Sequence, residues 1–297
     1  MFDLIGIWSI SLVFLITLLL ALQSPRVAKI LFVALVVRVI FLIINNYIIP
    51  LPDSTADAET FEIIASRLSK DGFFNLLTYF KGPDAQFISW LIAIPYSIFG
   101  RSIVMAQSIS LLFGIGCVFL GWKLANLLWD EDTADKAAWI IALFPSLVLY
   151  SVLVMREVYV CFFLIVSLYG ITCWIKTDKF IYIILAILGF VGATFFHGAM
   201  FIGAIIFIAY IGISSIKKLY NSLVNLRISL KILTYFSFFL ICASLYLNNK
   251  INVPYIDNFR NLTNWDTTLR KSNLAIRGEA SYPEWSRANH PIELLYK

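Results

Sequence analysis

The apolar run IGIWSISLVFLITLLLAL occupies residues 5–22 and contains no charged side chain. A helix needs about 20 apolar residues to cross the hydrocarbon core of a bilayer, so this run predicts a membrane-spanning helix. Asp3 is the only charged residue before it, and Gln23-Ser24-Pro25-Arg26 is a poor signal-peptide cleavage site. We therefore expect this helix to be retained in the protein.

Further apolar runs of similar length follow, at residues 30–49, 103–122, 137–155, 158–175, 180–196, 198–216 and 232–247. Hydrophobic residues make up 60% of the 297 residues and charged residues only 14%. A soluble domain carries about a quarter charged residues, and one soluble core could not bury this much apolar surface. The sequence predicts an all-α fold: a polytopic integral membrane helical bundle of about eight spans over residues 1–247.

Short basic connections between the apolar runs set the predicted topology, because Lys and Arg concentrate on the cytoplasmic side. The basic connections 26–29, 176–179 and 217–231 share one side only if the short run 87–99 is not counted as a span. That run contains Pro95, and we interpret it as interfacial or re-entrant. The loop 50–86 and the polar tail 248–297 then lie on the outer face, together with the Arg156-Glu157 turn and His197.

Composition and motifs exclude several classes of protein. The net charge is only +5 and forms no basic stripe, so we expect no nucleic-acid partner. The cysteines all lie in apolar runs without CxxC spacing, which indicates packing residues rather than metal ligands or disulfides (Cys117, Cys161, Cys173 and Cys242). The sequence has no Walker loop, no GxGxxG after a strand and no HExxH motif. It also lacks a convincing inverted repeat of broken helices, the pattern typical of secondary transporters.

The outer loop contains an amphipathic pattern in LPDSTADAETFEIIASRLSKDG, residues 51–72. Ser54 is a suitable N-cap with Asp57 three residues on, and Gly72 is a suitable terminator, so a helix is predicted between them. Its residues divide into an apolar face and a polar face. The apolar face comprises Phe61, Ile64, Ala65 and Leu68, and the polar face comprises Glu59, Glu62, Ser66 and Ser69.

Asp57 lies one turn before Phe61, so we expect it to project from the apolar side of this helix. One interpretation makes Asp57 a general base aimed into a cavity at the membrane surface. The alternative is that it only completes a capping box and stabilises the helix dipole. Asp53 is expected to be a turn or alternative cap residue and is the rival candidate for the same role.

An Arg156-Glu157 pair interrupts a long stretch without other charges, and ionisable residues in such surroundings are by default functional candidates. The pair could provide an acid facing a cavity and a phosphate-binding guanidinium, or it could simply cap two helix ends. His197, at an outer helix junction, is either a hydrogen-bonded helix-end residue or part of the site. Arg38, near the middle of the second run, needs a carboxylate, a carbonyl cluster or a lipid phosphate as its partner.

The polar tail contains Arg270 and Arg277 among Trp265, Tyr282 and Trp285. Basic and aromatic residues together suit a ligand that carries a sugar or a phosphate. They suit a segment at the membrane interface equally well.

These features together resemble the C-type superfamily of multispanning glycosyltransferases, which includes protein mannosyltransferases and aminoarabinose transferases. The resemblance rests on the acidic segment Pro52-Asp-Ser-Thr-Ala-Asp57, followed by Phe61 and Ala65, and on Leu143-Phe-Pro-Ser-Leu-Val-Leu-Tyr-Ser151 leading into Arg156-Glu157. It covers residues 28–200. The chain departs from the family in having two predicted spans and an outer N-terminus before the loop, where members have one span and a cytoplasmic N-terminus. Members also carry further helices where this chain stops, so we expect a short divergent member or a truncated chain.

The resemblance implies transfer of a sugar from a polyprenyl-phosphate donor to a hydroxyl of a glycan, lipid or protein acceptor, with inversion. Asp57 would be the base, with Asp53 as its rival and Glu157 as the second acidic residue. Arg156 would bind the donor phosphate, with His197, Arg270 and Arg277 as further substrate-binding candidates. No metal is expected, although a divalent cation could be held by Asp57 and Glu157. The bilayer would be the plasma (inner) membrane, with an extracytoplasmic active site.

Two other classes remain open from the sequence. A polysaccharide polymerase or ligase would rely on His197 and the tail arginines, and would tolerate Asp57→Asn. A non-enzymatic transporter or assembly subunit for lipid-linked glycans would tolerate every single acidic substitution.

Overall fold

The computed structural model describes residues 3–80, 82–84 and 86–224, together with residues 237, 240 and 244. Of these described residues, 85% are helical and none is in a strand. The all-α prediction is confirmed. The chain divides into two compact units, residues 1–210 and 211–297. The second unit contains the end of the last described helix.

The first unit begins with two long helices, followed by the loop that is predicted to be outer, which we continue to call the outer loop. α1 is Leu4–Gln23 and α2 is Ala28–Tyr47, joined through a 3-10 turn at Pro25–Val27. The loop carries α3, Asp57–Ser69, and α4, Phe73–Thr78, before α5, Phe87–Phe99. The remaining helices are α6 (Ile103–Leu128), α7 (Glu131–Leu143), α8 (Pro145–Val152), α9 (Glu157–Thr177), α10 (Phe180–Phe196) and α11 (Phe201–Val224), with a 3-10 turn at Gly198–Met200 before α11.

Four helices in the described part are long and apolar enough to cross a membrane, which makes this a multi-pass membrane protein. They are α1, α2 with its preceding turn, α6 and α9. α7 and α8 form a fifth candidate, bent by 55° where they join. α5, α10 and residues 198–214 are shorter apolar helices. The predicted run 232–247 lies outside the described residues, so the count of eight spans stays a prediction.

α6 is the central helix of the first unit. It packs against α1, α2, α7, α8 and α9, and 67% of its most apolar window is buried, against 22% for α1. Small residues allow such close packing in membranes. A Cβ atom added at Gly114 would lie 2.5 Å from the Ser151 Cβ atom and 3.1 Å from Arg38 Nε. α6 therefore meets the second and fifth candidate spans at a position with no room for a side chain.

Charged residues of the α1–α2 and α6–α7 connections meet at one end of the bundle. Arg26 Nε donates to Asp135 Oδ2 at 2.9 Å, and the same guanidinium also bonds Glu131 and Asp132. Trp122 Nε1 donates to the other oxygen of Asp135 at 2.8 Å. The α1–α2 turn therefore lies beside the start of α7 and the last turns of α6. We call this group of Arg26 and its carboxylates the Arg26 cluster.

Arg38 is fully buried in α2 and lies beside the break between α7 and α8. Its Nε donates to Ser151 Oγ at 2.9 Å, and NH1 donates to the carbonyl oxygens of Ala142 at 2.8 Å and Ala34 at 3.2 Å. Of the partners considered from the sequence, carbonyl groups are the ones observed. Pro145 has no N–H to continue the α7 ladder, so carbonyls near the break need another donor. The Arg38 guanidinium supplies one.

Candidate functional site

The outer loop reaches α3 through a tight turn that contains Asp53. Asp53 has φ 64, in the left-handed region that Asp tolerates better than most residues. The prediction that Ser54 caps the helix is wrong, because α3 begins at Asp57 with Ala56 at the N-cap position and no side-chain cap. Ser54 Oγ is buried without a hydrogen-bond partner in the described part of the chain. The helix therefore begins two residues later than the sequence pattern indicates.

The apolar face of α3 is the predicted one, but Glu62 does not lie on the polar face. Phe61 and Ala65 are buried as expected, whereas Glu62 is only 5% exposed. Its carboxylate accepts two hydrogen bonds from Arg101, at 2.9 and 2.7 Å, and one from the Tyr96 hydroxyl at 3.0 Å. A buried carboxylate is tolerable when a paired guanidinium and a hydroxyl satisfy it. This arrangement, the Glu62 clamp, fixes α3 against α5.

The Glu62 clamp also has an electrostatic consequence. The Glu62 carboxylate raises the pKa of the Arg101 guanidinium above its ordinary value, chiefly through their hydrogen bond. Arg101 therefore keeps its charge throughout the physiological range. The clamp holds the orientation of α3, and with it the start of the helix, where Asp57 lies.

Asp57 is exposed at the first position of α3, rather than on the buried face as its spacing from Phe61 predicts. No helical turn precedes it to cover its side chain, because residues 52–56 form turns and α3 begins only at Asp57. Among the described residues, none forms a hydrogen bond or an ion pair with the Asp57 carboxylate. The carboxylate is therefore open to solvent and positioned in the first turn, where the helix dipole favours its charge.

Arg156 extends over the face of Phe61, with its guanidinium carbon 5.2 Å from the ring centroid. This distance is typical of a cation–π interaction. In the part of the chain that the structure describes, no carboxylate lies within ion-pair distance of Arg156. Asp57 and Phe61 are one helical turn apart, so their Cβ atoms are about 5–6 Å from each other. Asp57 therefore lies one helical turn from the ring that Arg156 contacts.

Tyr150 connects the outer loop to the α7–α8 segment. Its hydroxyl donates to Asp53 Oδ2 at 3.4 Å, a long hydrogen bond. Glu157, the exposed first residue of α9, is close enough to interact electrostatically with the same hydroxyl. The two acidic residues assigned to separate motifs, Asp53 and Glu157, therefore both lie near the Tyr150 hydroxyl.

His197 lies at the end of α10 and is exposed. The preceding Phe196 stacks on Tyr159 of α9, with ring centroids 4.6 Å apart and an interplanar angle of 12°. Phe195 contacts Phe87 at the start of α5, with centroids 4.9 Å apart. These contacts bring the end of α10 beside the beginning of α9 and the end of the outer loop. His197 thus lies at the same end of the bundle as the Arg156-Glu157 turn.

The structure places some of the predicted site residues together, and others lie outside the described part of the chain. Asp53, Asp57, Arg156, Glu157 and His197 lie at one end of the first unit, opposite the Arg26 cluster. Arg270 and Arg277 lie outside the described residues. Over the described ranges, no group of at least three His, Cys, Asp and Glu residues could hold a metal ion. We call the corner formed by Asp53, Asp57, Phe61, Tyr150 and Arg156-Glu157 the outer acidic corner.

Three contributors were not recognised from the sequence: Tyr150, Phe61 as the partner of Arg156, and Arg101. Tyr150 falls within the segment used for the resemblance, but nothing in the order of residues indicated its contact with Asp53. Arg101 directly follows Gly100, which has φ 93 and ends α5. The sequence did contain a signal for Arg101: an arginine that follows a helix-ending glycine, in a chain whose preceding loop is rich in acidic residues.

Comparisons of the chain with models of protein families, with curated proteins and with solved structures gave no match. The function is therefore argued from the outer acidic corner itself.

Proposed function

We propose that the protein is a membrane glycosyltransferase that transfers a sugar from a polyprenyl-phosphate donor to an acceptor hydroxyl. The reaction takes place at the end of the bundle that carries the outer acidic corner, and this end faces the extracytoplasmic side of the plasma (inner) membrane. The polyprenyl tail of the donor stays in the bilayer, and its phosphate lies at the interface beside the corner.

The observation that carries this proposal is a guanidinium without a carboxylate partner among the described residues, in the same region as exposed carboxylates. Arg156 contacts the Phe61 ring and, among described residues, forms no ion pair with a carboxylate. Of the two exposed carboxylates, Glu157 is its neighbour along the chain, and Asp57 lies one helical turn before Phe61. A phosphate diester or monoester needs a planar cation that is not already neutralised, and arginine binds such groups bidentately. The carboxylates supply the base that an attacking hydroxyl requires.

The residues divide the chemical work as follows. The Asp57 carboxylate takes the proton of the acceptor hydroxyl while its oxygen forms a bond to the anomeric carbon. The bond from that carbon to the phosphate oxygen breaks, and the lipid phosphate leaves with the electron pair. Arg156 stabilises the negative charge that grows on the leaving phosphate. Attack from the face opposite the phosphate inverts the configuration at the anomeric carbon.

The proposal is tested by following the transfer of a radiolabelled sugar from polyprenyl-phosphate donors in membranes that contain wild type or Asp57→Asn. General-base catalysis contributes about 10²–10⁴-fold, so we expect a loss of this size at equal protein level. Glu59→Gln is the matched control, because Glu59 is also exposed in the first turn of α3. Equal losses in both variants would contradict the assignment of Asp57 as the base. Absence of transfer by the wild type with every donor would contradict the function.

A second candidate function is polymerisation or ligation of lipid-linked glycans, with His197 as the base. The observation in its favour is that His197 is exposed beside the first turn of α9, through the stacking of Phe196 on Tyr159. The same assay separates the two functions. Transfer that survives Asp57→Asn and disappears with His197→Asn would assign the reaction to this second class.

A further inference from the structure

Arg38 is a buried cation, and packing alone does not explain why a charged residue occupies this position. It is fully buried in α2, and its described partners are neutral: Ser151 Oγ and the carbonyl oxygens of Ala142 and Ala34. No carboxylate within the described part of the chain forms an ion pair with it. Burying a cation among neutral groups costs free energy, and an apolar side chain of similar volume would avoid that cost. Such residues within membrane spans mark function by default.

The partners of Arg38 lie on both sides of the helix break. Ala142 is next to the last residue of α7, and Ser151 lies in α8. A cation at the C-terminal end of α7 is also favoured by the helix dipole. Gly114 of α6 leaves the space in which Ser151 and Arg38 meet. One guanidinium therefore fixes α7 and α8 at their 55° bend.

The outer end of α8 leads directly into the outer acidic corner. Tyr150, which donates to Asp53, is the neighbour of Ser151. Residues 153–155 are buried and connect α8 to Arg156 and Glu157. A change in the position of α8 is therefore transmitted to the phosphate-binding guanidinium through a short packed segment.

We infer that Arg38 is a positioning residue for the outer acidic corner, which holds Arg156 and Glu157 in place by fixing α8 across the helix break. This inference rests on the proposed glycosyltransferase function. Arg38 itself contacts neither substrate nor reacting atoms. Its effect is on the position of Arg156 relative to the phosphate while negative charge grows on it, so a change at Arg38 lowers kcat more than it raises KM.

The first test measures kcat and KM for transfer in Arg38→Met, which keeps an unbranched apolar stem and removes the guanidinium with its donors. A displacement of about 1 Å can cost about 100-fold in rate, so we expect a fall in kcat of this order with KM changed by less than about threefold. Arg38→Lys retains a charge and one donor to Ala142, and recovers part of the loss. Leu42→Ala is the control: Leu42 is also buried in α2, one turn further on, but lines a cavity with Asp3, Ile7, Ile10 and Val104.

The second test needs no activity. Nitroxide labels on cysteines introduced at Thr55 and Ser146, both exposed, report the separation of the outer loop and α8 by double electron–electron resonance. The background for these labels has its native cysteines replaced. A narrow distance distribution in the wild type that broadens or shifts in Arg38→Met, and not in Leu42→Ala, supports the inference.

An unchanged distribution together with unchanged kcat in Arg38→Met would overturn the inference. If the wild type has no transfer activity, the distance distribution alone decides. An unchanged distribution in Arg38→Met then overturns the inference. A broadened distribution supports positioning by Arg38 and rejects only the glycosyltransferase function. If Arg38→Met does not accumulate in membranes, Ser151→Ala replaces it, because that change removes the α8 partner and retains the bond to Ala142.

Discussion

Two arginines at opposite ends of the bundle, Arg26 and Arg156, have different partners. In the Arg26 cluster, one guanidinium meets Asp135, Glu131 and Asp132. In the outer acidic corner, Arg156 rests on an aromatic ring, and no carboxylate in the described residues forms an ion pair with it. Charges that neutralise one another within the protein serve its structure. A guanidinium without a carboxylate partner can still bind an anion. This property distinguishes the outer acidic corner from the Arg26 cluster, which is equally rich in charge.

Arg156→Ala is expected to have the largest effect on sugar transfer and so to test this comparison most directly. Removing one donor that stabilises a developing oxyanion typically costs about 10²–10³-fold in kcat, and we expect a loss of this size in sugar transfer. The loss is measured in membranes with protein levels matched by immunoblotting. Arg156→Lys should retain more activity than Arg156→Ala but less than wild type, because it keeps the charge and loses the bidentate geometry. Full activity in Arg156→Ala would remove the functional difference between the two ends.

The second effect concerns stability in the outer loop. Glu62→Gln leaves Arg101 without its carboxylate and places an amide among the same donors, so we expect a loss of about 1–3 kcal/mol in the free energy of unfolding. The measurement is thermal unfolding of the purified protein in detergent. Glu59→Gln on the exposed side of α3 should leave the unfolding temperature unchanged. Equal shifts in the two variants would show that the Glu62 clamp contributes nothing specific.

A smaller effect is expected for Tyr150→Phe. The hydrogen bond to Asp53 is long, at 3.4 Å, and a typical intramolecular hydrogen bond contributes about 0.5–1.5 kcal/mol. Transfer should therefore fall by about 2–10-fold, with the protein level unchanged. A loss as large as that of Asp57→Asn would instead make the Tyr150 hydroxyl a participant in proton transfer.

The smallest effect is expected at the opposite end. Arg26→Ala should lower the unfolding temperature slightly in low salt and leave sugar transfer unchanged, because exposed ion pairs contribute little and are screened. Unfolding scans at low and high ionic strength would show the difference between variant and wild type shrinking as salt rises. A loss of transfer in Arg26→Ala would refute the separation of a structural end from a functional one.

The sequence predicted the elements whose signal is periodic or long. The apolar runs for α1, α2, α6 and α9 were long enough to identify the spans, and the spacing of Phe61 and Ala65 identified the buried face of α3. The grouping of the outer loop with the Arg156-Glu157 turn also followed from the order of basic connections. These features depend only on neighbours along the chain.

The errors arose where a distant residue decides the environment. Glu62 follows the spacing of the polar face, yet it is buried because Tyr96 in the last turn of α5 and Arg101 just after that helix bond its carboxylate. The acceptors of Arg38 lie on α7 and α8, far along the chain, and no periodicity indicates them. The predicted span 137–155 is interrupted at Phe144-Pro145, and hydropathy does not reveal how sharply such a junction bends.

The length of α6 relates the protein to the thickness of its membrane. At 1.5 Å per residue, the 26 residues of α6 extend about 39 Å, whereas the 20 residues of α1 match a hydrocarbon core of about 30 Å. The excess falls in the last turns of α6, from Lys123 onward, where Lys123 lies 4.6 Å from the Phe119 ring centroid and can direct its charge toward the lipid headgroups. A bilayer of longer lipids would cover these turns, and one of shorter lipids would tilt the helix further. Because α6 packs against five other helices, a change in its tilt would move those helices with it.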